Sequence, residues 1–326
     1  MNPAPRAQCV ALGSAIPDRR LTNADLAKSV STTDEWIRSR TGICERRIVE
    51  PGTPLSVLAI AAAQDCLSRA NIDPATIDGI ILATITGDHL MPATANLVQA
   101  GIGASRAWAF DLVNACNGFL SAMTVATSFI ESGRARRLLV LGGDVMSSVI
   151  DPTDRNTCIL FGDGCGAALV EAGTGTGGVV GFRMRSDGTG ANDLILPNSG
   201  SKRDPERKPV VYQNGRTVFT HAVRAMAEIA GDLMAELGLT GDDIDLLVPH
   251  QANLRIIEAT AERCGLPMEK VVVNIDRLGN TTGATLPLAL AEAHADGRLK
   301  DGTRVLLVAF GGGYSWGACY LIWGRP

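Results

Sequence analysis

The chain has 326 residues, of which 46% are apolar, 20% charged and only 4% aromatic, and it contains 36 glycines. This length and composition exclude a disordered or fibrous protein and are typical of a soluble α/β protein, built as two domains or as one large duplicated unit. The net charge of -4 excludes a broad nucleic-acid-binding surface, so we expect no DNA or RNA partner.

Eight cysteines are scattered along the chain without CxxC pairs. In a chain of this length, such a pattern indicates a reducing compartment and not a disulfide framework. The first residues lack a basic segment followed by a long apolar stretch, and the sequence has no run of about 18 apolar residues. We therefore expect a cytoplasmic protein that does not span a membrane.

Strand and helix patterns alternate along the chain. Strands are predicted at residues 9–15, 77–85, 107–113, 137–142, 161–170, 244–250 and 304–307, and longer helices at 55–70, 96–101, 116–132 and 221–237. Asn23 is predicted to cap a short helix, and residues 32–37 resemble a capping box that opens another. Residues 187–209 form a polar segment with Pro and Gly, which predicts a surface loop.

A basic cluster surrounds Trp36, and its members are Arg38, Arg40, Arg46 and Arg47. Such a cluster can hold a nucleotide by stacking and phosphate pairing. The alternative is an ordinary solvated basic face, and the cluster alone favours that alternative.

The order of elements repeats with an offset of about 167 residues. The segment IDGIIL at 77 is echoed by IDLLVP at 244, and RLLV at 137 is echoed by RVLL at 304. Two separate landmarks with one period indicate an internal duplication of a βα unit. Loops from both halves can then converge at the carboxyl ends of the strands, where sites of such sheets collect.

Three polar residues follow predicted strands, namely Cys116, His250 and Asn280. Cys116 is predicted at a helix N-terminus, where free N–H groups and the helix dipole ease ionisation of a thiol. Each residue has an ordinary alternative: a buried inert cysteine, a structural histidine and an N-cap asparagine. The combination of one nucleophile and two hydrogen-bond donors favours a catalytic site.

Six segments match the signatures of one enzyme family, in the family's order. They are TTDEWIRSRTG at 32–42, DPTDR at 151–155, FGDG at 161–164, HQANLRII at 250–257, GNTT at 279–282 and FGGGYSWG at 310–317. On these motifs, the sequence resembles a β-ketoacyl-acyl-carrier-protein synthase III, one of the thiolase-like condensing enzymes. The resemblance implies a duplicated α/β fold with α/β/α/β/α layers. We place one half at residues 1–172, with the cysteine, and the other at 173–326, with His and Asn.

The resemblance implies a two-step reaction that initiates fatty-acid synthesis. Cys116 attacks a short acyl-CoA and forms an acyl-enzyme, with the N–H groups of Cys116 and Gly312 as the oxyanion hole. Malonyl-acyl-carrier protein then loses carbon dioxide, and His250 Nε2 and Asn280 Nδ2 donate hydrogen bonds to the enolate oxygen. The enolate attacks the acyl-cysteine and yields 3-oxoacyl-carrier protein. Coenzyme A enters as a substrate thioester, and the resemblance implies no metal or other cofactor.

The resemblance also implies binding residues and a homodimer. Met91 occupies the position that reaches across the dimer interface to shape the acyl pocket. The implied coenzyme A contacts are Thr32, Trp36, Arg40, Arg155, Gly215, Phe219, Ala252 and Asn253, and the implied carrier-protein contacts are Arg224, Arg255 and Arg263.

Several positions depart from the family pattern. Asn114 and Asn117 flank the cysteine where a small residue commonly follows it, which predicts extra hydrogen-bonding groups near the reaction centre. Gly283 stands where Ala is usual, and Thr220 and Glu262 stand where Lys is often seen. These changes bear on the choice of acyl primer and on affinity for the carrier protein.

Other functions remain open from the sequence. A specialised paralogue would condense another acyl group for a secondary metabolite or a cofactor precursor, and its products would identify it. An acyltransferase without decarboxylation would hand the acyl group to an oxygen or nitrogen nucleophile and release no carbon dioxide. A non-enzymatic coenzyme A-binding protein has no need of the three polar residues. Plant-type polyketide synthases share Cys, His and Asn but are typically longer and lack the QANLR context.

Overall fold

The structure is a computed structural model that describes residues 5–325, and its two main sheets have the same strand order. The first sheet has the order β1-β7-β6-β4-β5 and the second the order β8-β13-β12-β11. The strands of the first sheet are β1 (Arg6–Ala15), β4 (Gly79–Ala83), β5 (Trp108–Leu112), β6 (Arg137–Val145) and β7 (Asp163–Gly173). Those of the second are β8 (Gly178–Ser186), β11 (Leu246–Pro249), β12 (Arg304–Gly311) and β13 (Ser315–Ile322).

The pairing pattern is also the same in both sheets. The first three strands of each order pair antiparallel, and the following strand pairs parallel. The second sheet has a parallel bridge between Leu247 and Val271 in the place that β5 occupies in the first. Two smaller sheets pair β2 (Arg20–Thr22) with β3 (Glu45–Arg47) and β9 (Leu194–Ile195) with β10 (Tyr212–Gln213).

Helices cover both sheets and fill the space between them. The helices are α1 (Asn23–Leu26), α2 (Asp34–Thr41), α3 (Leu55–Ala70), α4 (Thr94–Gly101), α5 (Gly118–Glu131), α6 (Arg155–Cys158), α7 (Gly215–Leu237), α8 (Leu254–Arg263), α9 (Ile275–Leu278) and α10 (Thr285–Ala295). Helices α3 and α4 pack on the outer face of the first sheet, α7 and α8 on that of the second, and α5 and α10 lie between the sheets. The predicted α/β/α/β/α layering is therefore confirmed.

The duplication is visible in where the central elements begin. Strands β4 and β11, strands β6 and β12, and helices α5 and α10 each begin 167 positions apart, for example at 118 and 285. A short 3-10 turn precedes each central helix, at Ala115–Asn117 and at Thr282–Ala284. The sequence of β6, RLLVLGGDV, is almost continuously apolar because helices cover both faces of this strand.

The central layer requires close approach of the two halves. An added Cβ on Gly142 of β6 would lie 2.2 Å from the carbonyl oxygen of Gly283 and 3.1 Å from Phe119 Cβ. Only a residue without a side chain fits between these groups. Gly142 therefore sets the spacing between β6 and the turn that opens α10.

Two predicted helix caps are wrong. The cap of α1 is Thr22, which accepts a hydrogen bond from the N–H of Asp25, and Asn23 is instead the first helical residue. The cap of α2 is Thr33, which accepts from the N–H of Trp36. No reciprocal capping box forms at α2, because Trp36 occupies the third helical position and its side chain has no acceptor for the N–H of the cap.

Two arginines of the predicted basic cluster have other partners. The guanidinium of Arg46 is fully buried and donates to Asn23 and to the carbonyl oxygen of Ile159. Arg47 donates to the carbonyl oxygen of Pro17 and pairs with Glu45. These two side chains hold β3 against its neighbours.

The polar segment 187–209, predicted as a surface loop, also contains a short strand and part of the cavity wall. Its Leu194 and Ile195 form strand β9, which pairs with β10. Leu194, Ile195 and Leu196 also line the main cavity of the protein. The sequence predicted only a loop here because a strand of two residues has no recognisable pattern, and because β9 is held by hydrogen bonds to a strand about 18 positions away.

Within residues 5–325, no helix is both long enough and apolar enough to cross a bilayer.

We predict that Gly142→Ala destabilises the fold by about 1–3 kcal/mol, because the new methyl group collides with the backbone of Gly283. Thermal unfolding would show a lower Tm than the native protein. Gly188→Ala is the matched control, since an added Cβ there has no atom within 4 Å. An unchanged Tm for Gly142→Ala would contradict the close approach.

Candidate active site

One deep cavity of about 1480 Å³ opens between the two halves and collects most of the predicted site residues. Its lining includes Cys116, His250, Asn280 and Gly312, and also Trp36, Arg40, Gly215, Phe219, Ala252, Asn253 and Arg255. These residues come from sequence positions up to 276 apart, from Trp36 to Gly312. Only the tertiary fold brings them together.

Five predicted site residues are not part of this lining, namely Thr32, Met91, Arg155, Arg224 and Arg263. Arg155 nevertheless lies beside the cavity, because its guanidinium carbon is 4.9 Å from the ring centre of Trp36. The side chain of Met91 is 86% exposed in the single chain. Arg224 and Arg263 lie on the exposed surface.

Trp36 forms the centre of the outer part of the cavity. Arg40 and Arg155 each place a guanidinium carbon 4.9 Å from its ring centre, in cation–π geometry. Arg38 pairs with Asp34 on the same helix. The cluster that the sequence predicted around Trp36 is therefore formed by Arg40 and by a residue from α6.

Cys116 lies in the 3-10 turn just before α5, and not in the first turn of the helix itself. Ala115, the preceding residue, has a φ of 45°, which is strained for a residue with a side chain. This left-handed step turns the chain sharply from β5 toward α5. The side chain of Cys116, only 5% exposed, faces the cavity as a result.

The thiol of Cys116 is not acidified by its position. Burial, and to a lesser degree the carboxyl of Asp144, raise the pKa of Cys116 to about 12, while the backbone N–H of Cys116 lowers it. The prediction of an easily ionised thiol is therefore wrong, because loss of solvation outweighs the effect of the N–H group. The resting residue is a neutral thiol that needs a base.

His250 follows β11 directly, and hydrogen bonds fix both its backbone and its ring. Its backbone N–H donates to the carbonyl oxygen of Val308, at 2.7 Å. Its ring Nδ1 lies 2.7 Å from the hydroxyl oxygen of Thr285, and that hydroxyl donates to the carbonyl oxygen of Thr282, at 3.0 Å. A hydroxyl has one proton, so both contacts are satisfied only if Nδ1 carries the imidazole proton.

The protonation of His250 follows from this geometry and from burial. Desolvation lowers the pKa of His250 to about 3, so the ring is neutral at pH 7. With its single proton on Nδ1, the ring presents the lone pair of Nε2 toward the cavity. In the resting state, Nε2 is thus an acceptor.

The side-chain amide of Asn280 is held so that its donor, and not its acceptor, faces the cavity. Its Oδ1 accepts a hydrogen bond from the N–H of Thr282, at 2.9 Å, so its Nδ2 is the group left to face the cavity. The backbone of Asn280 is tied to the segment after α6 by bonds to Leu160 and Gly162. This residue therefore offers a donor of fixed direction.

The backbone N–H groups of Cys116 and Gly312, two residues that line the cavity, are candidates for binding an anion. Within residues 5–325, the N–H of Gly312 has no hydrogen-bond acceptor, and that of Cys116 has only its own sulfur. The two segments touch, since an added Cβ on Gly311 would lie 2.9 Å from the nitrogen of Cys116. Backbone N–H groups on two neighbouring segments can stabilise an oxyanion that binds between them.

Asn114 and Asn117 do not add polar groups to the cavity. Asn117 is fully buried and donates to the hydroxyl of Ser315, and Asn114 donates to the hydroxyl of Ser121. Neither residue is part of the cavity lining. The expected extra hydrogen-bonding groups at the reaction centre are therefore absent from the lining, because both side chains turn into the protein.

Sequence reasoning missed two residues that support the site. Thr285 fixes the tautomer of His250, and Asp144 accepts hydrogen bonds from the N–H of Gly283 and from the hydroxyls of Thr84 and Thr86. Asp144 had a signal in the sequence: it is the one carboxylate at the end of the apolar strand β6, where a charge is costly unless it is paired. Thr285 had none, since a threonine at a helix start is common.

Comparison with known proteins gives matches over nearly the whole chain. Family models described as 3-oxoacyl-[acyl-carrier-protein] synthase III and its C-terminal part match residues 110–188 and 234–323. The β-ketoacyl-[acyl-carrier-protein] synthase III of Roseiflexus sp. (strain RS-1) is 50% identical over 95% of this chain and 96% of its own.

Solved structures agree with the sequence matches. The β-ketoacyl-[acyl-carrier-protein] synthase III of Thermus thermophilus is 45% identical, with a TM-score of 0.92 over 98% of this chain and 100% of that one. The priming β-ketosynthase of the R1128 polyketide biosynthetic pathway is 36% identical, with a TM-score of 0.92 over 99% and 98%. The chain therefore belongs to the β-ketoacyl-acyl-carrier-protein synthase III family of condensing acyltransferases, which have the thiolase-like fold.

Proposed function

We propose that this enzyme forms an acyl-cysteine from a short acyl-CoA and condenses it with malonyl-acyl-carrier protein, which initiates fatty-acid synthesis. The observation that carries the proposal is the meeting of Cys116, His250 and Asn280, from both halves of the chain, in one cavity. Cys116 and Gly312, whose N–H groups would form the oxyanion hole, both line this cavity. The names of the relatives support the same reaction.

In the first step, the thiol proton of Cys116 passes to His250 Nε2, which has a free lone pair in the resting enzyme. The sulfur attacks the thioester carbonyl carbon, and the N–H groups of Cys116 and Gly312 stabilise the oxyanion. The carbon–sulfur bond to coenzyme A then breaks, and the released thiolate takes its proton from His250 Nε2. The ring of His250 is then neutral again, as its lowered pKa requires.

In the second step, the malonyl carboxylate leaves as carbon dioxide and the electron pair forms a thioester enolate. Asn280 Nδ2–H donates to the enolate oxygen, and the developing negative charge favours uptake of a solvent proton at His250 Nε2, which then donates to the same oxygen. The enolate carbon attacks the acyl carbonyl, and the carbon–sulfur bond to Cys116 breaks. The cysteine thiolate recovers its proton from His250, which restores the resting state.

Coenzyme A is proposed to bind along the outer cavity. Trp36 offers a ring face for adenine between the guanidinium groups of Arg40 and Arg155, which also suit phosphates. Gly215, Phe219, Ala252 and Asn253 line the cavity and are proposed to contact the pantetheine arm, and Thr32, which is not part of the lining, is proposed as a further contact. The proposed reaction uses coenzyme A thioester as a substrate and needs no metal.

Two protein partners are proposed. The acidic carrier protein would dock on Arg224, Arg255 and Arg263, of which Arg255 also lines the cavity. A second copy of the chain would cover the edge strand β5, which within residues 5–325 pairs with β4 alone, and the exposed apolar residue Met91. In that homodimer, Met91 would reach the partner's acyl pocket.

We also propose that the two halves of the chain divide at residues 172 and 173 and that the enzyme works in the cytoplasm. The division is supported by the end of β7 at Gly173 and the start of β8 at Gly178. The compartment is supported by the eight cysteines, all of which are free thiols in the structure.

A second candidate is a specialised paralogue that primes another pathway. The observation in its favour is the high structural similarity to a priming β-ketosynthase of a polyketide pathway, at 36% identity. The same Cys, His and Asn chemistry serves both candidates, so the acyl group on Cys116 and the product distinguish them.

We predict that incubation with acyl-CoA adds one acyl group to the protein, detected as an increase in intact mass. A panel from acetyl through branched, dicarboxylic and long acyl-CoAs would identify the primer. Cys116→Ala should show no adduct, while Cys44→Ala, which changes the partly exposed cysteine near Arg38, should be acylated normally. Absence of an adduct with every donor would contradict the proposed function.

The raised pKa of Cys116 predicts a pH profile. The thiolate fraction of a thiol with a pKa of about 12 grows about tenfold per pH unit between pH 6 and 9, and alkylation by iodoacetamide should follow it. Peptide mass spectrometry measures the rate at Cys116 alone, with glutathione in the same tube as the reference thiol. A rate that levels off below pH 7 would mean that the resting cysteine is already a thiolate.

Asn280→Asp should separate the two steps. The change keeps the size of the side chain but removes the Nδ2 donor, so release of carbon dioxide from malonyl-carrier protein should fall about 10²–10³-fold. Acylation of Cys116 should stay within about threefold of the native rate, since that step does not use the enolate donor. Equal loss of both steps would argue against the assigned role. Product formation without carbon dioxide release would indicate the non-decarboxylating acyltransferase.

A further inference from the structure

Three walls of the cavity meet at one carboxylate, that of Asp193, just before β9. Its Oδ2 accepts the hydroxyl of Tyr314 at 3.0 Å, and its Oδ1 accepts the side-chain amide of Asn214 at 3.2 Å. Its backbone carbonyl accepts the N–H of Asn214 at 2.8 Å. Nothing in the reaction described above uses Asp193 or Tyr314 directly.

Tyr314 directly follows the glycine turn Gly311–Gly313 and is only 2% exposed. Its backbone exchanges two hydrogen bonds with Asp187, at 2.9 and 3.0 Å. Its ring lies against Gly190, where an added Cβ would come within 2.2 Å of the ring, and it packs between His221 and Phe310 with ring centroids 5.1 Å away. The hydroxyl bond to Asp193 is the polar contact that ties the ring to the end of the segment 187–193.

The glycine turn itself rests on the same segment. An added Cβ on Gly312 would lie 3.2 Å from the carbonyl oxygen of Leu194, the residue after Asp193. The glycine turn is therefore flanked by Leu194 on one side and by Tyr314 on the other. Glycines have no side chain that could fix the conformation of the turn, so its neighbours do so.

Asn214 carries the contact to the third wall. It is the residue immediately before α7, whose first turn contains Gly215 and whose second turn contains Phe219. Both of these residues line the cavity on the proposed path of the pantetheine arm. Asp193 thus joins the glycine turn, the β9 wall and the start of α7 through its two carboxylate oxygens and its backbone.

We propose that Asp193 and Tyr314 are a positioning pair that aligns the Gly312 N–H with the oxyanion formed during transfer of the acyl group to Cys116. The inference rests on the proposed function, because it concerns the oxyanion of that reaction. Donors in such a site act only when aimed at the developing charge, and displacement of about 1 Å is costly. Loss of the hydroxyl bond frees the turn without removing any group that touches the substrate.

The test compares two reactions of the same sulfur in Tyr314→Phe. Single-turnover acylation by the preferred acyl-CoA passes through an oxyanion and should slow about tenfold, whereas alkylation by iodoacetamide forms none and should stay within twofold. The acyl-CoA concentration for half-maximal rate should also stay within twofold. Asp193→Asn should behave similarly, because Tyr314 and Asn214 use different oxygens of Asp193, and with Oδ1 kept on Asn214 the amide nitrogen offers no lone pair to the hydroxyl proton of Tyr314.

The matched control is Tyr320→Phe, which removes a hydroxyl in strand β13, the strand that follows Tyr314; this hydroxyl donates to the carbonyl oxygen of Asp243. The acylation rate and the alkylation rate of this variant should both equal those of the native enzyme. The double variant Tyr314→Phe with Asp193→Asn should be no slower than the slower single variant, because both changes break one interaction.

Acylation by Tyr314→Phe within threefold of the native rate would overturn the inference, as would an equal fall in acylation and alkylation, which marks a merely structural role. If Tyr314→Phe does not fold, the acylation and alkylation rates of Asp193→Asn test the inference, with the same limits. Failure of the native enzyme to acylate would instead refute the proposed function, so the two failures are distinguishable.

Discussion

The arrangement of the site depends on one buried carboxylate, that of Asp144, which joins the two halves. Its Oδ1 accepts the hydroxyls of Thr84 and Thr86 and the N–H of Ile85, all in the loop after β4. Its Oδ2 accepts the N–H of Gly283, in the turn that opens α10. Burial raises the pKa of Asp144 to about 6, and the four donors offset part of the cost of removing the carboxylate from water.

Burial also decides the protonation states of Cys116 and His250. Desolvation keeps the thiol of Cys116 protonated and the ring of His250 neutral, so this pair carries no charge in the resting enzyme. In the proposed reaction, charge develops on the pair only when a thioester is bound. The contact of His250 with Thr285 gives this pair its direction, since it leaves the lone pair of Nε2 for the thiol proton.

Much of the fold and part of the site were predictable because their signals are local or periodic. The offset of 167 residues holds for β4, β6 and α5 and their counterparts, since each repeat has the same apolar pattern. Helix α3 begins and ends at the predicted residues. Short elements and caps were predicted poorly: Thr22 and not Asn23 caps α1, and β9 was missed, because hydrogen bonds to other segments decide such details.

By itself, the sequence determined the duplicated α/β architecture and singled out Cys116, His250 and Asn280, because periodicity and residue type carry that information along the chain. Asn280, however, follows helix α9 and not a strand as predicted. Only the tertiary structure decided what state these residues adopt. The pKa of a thiol depends on how much solvent surrounds it, and burial from all sides made Cys116 a weak acid where a helix N-terminus predicted a stronger one. Likewise, the carboxylate of Asp193 meets Tyr314, 121 positions away, through folding alone, and no local pattern encodes such a contact.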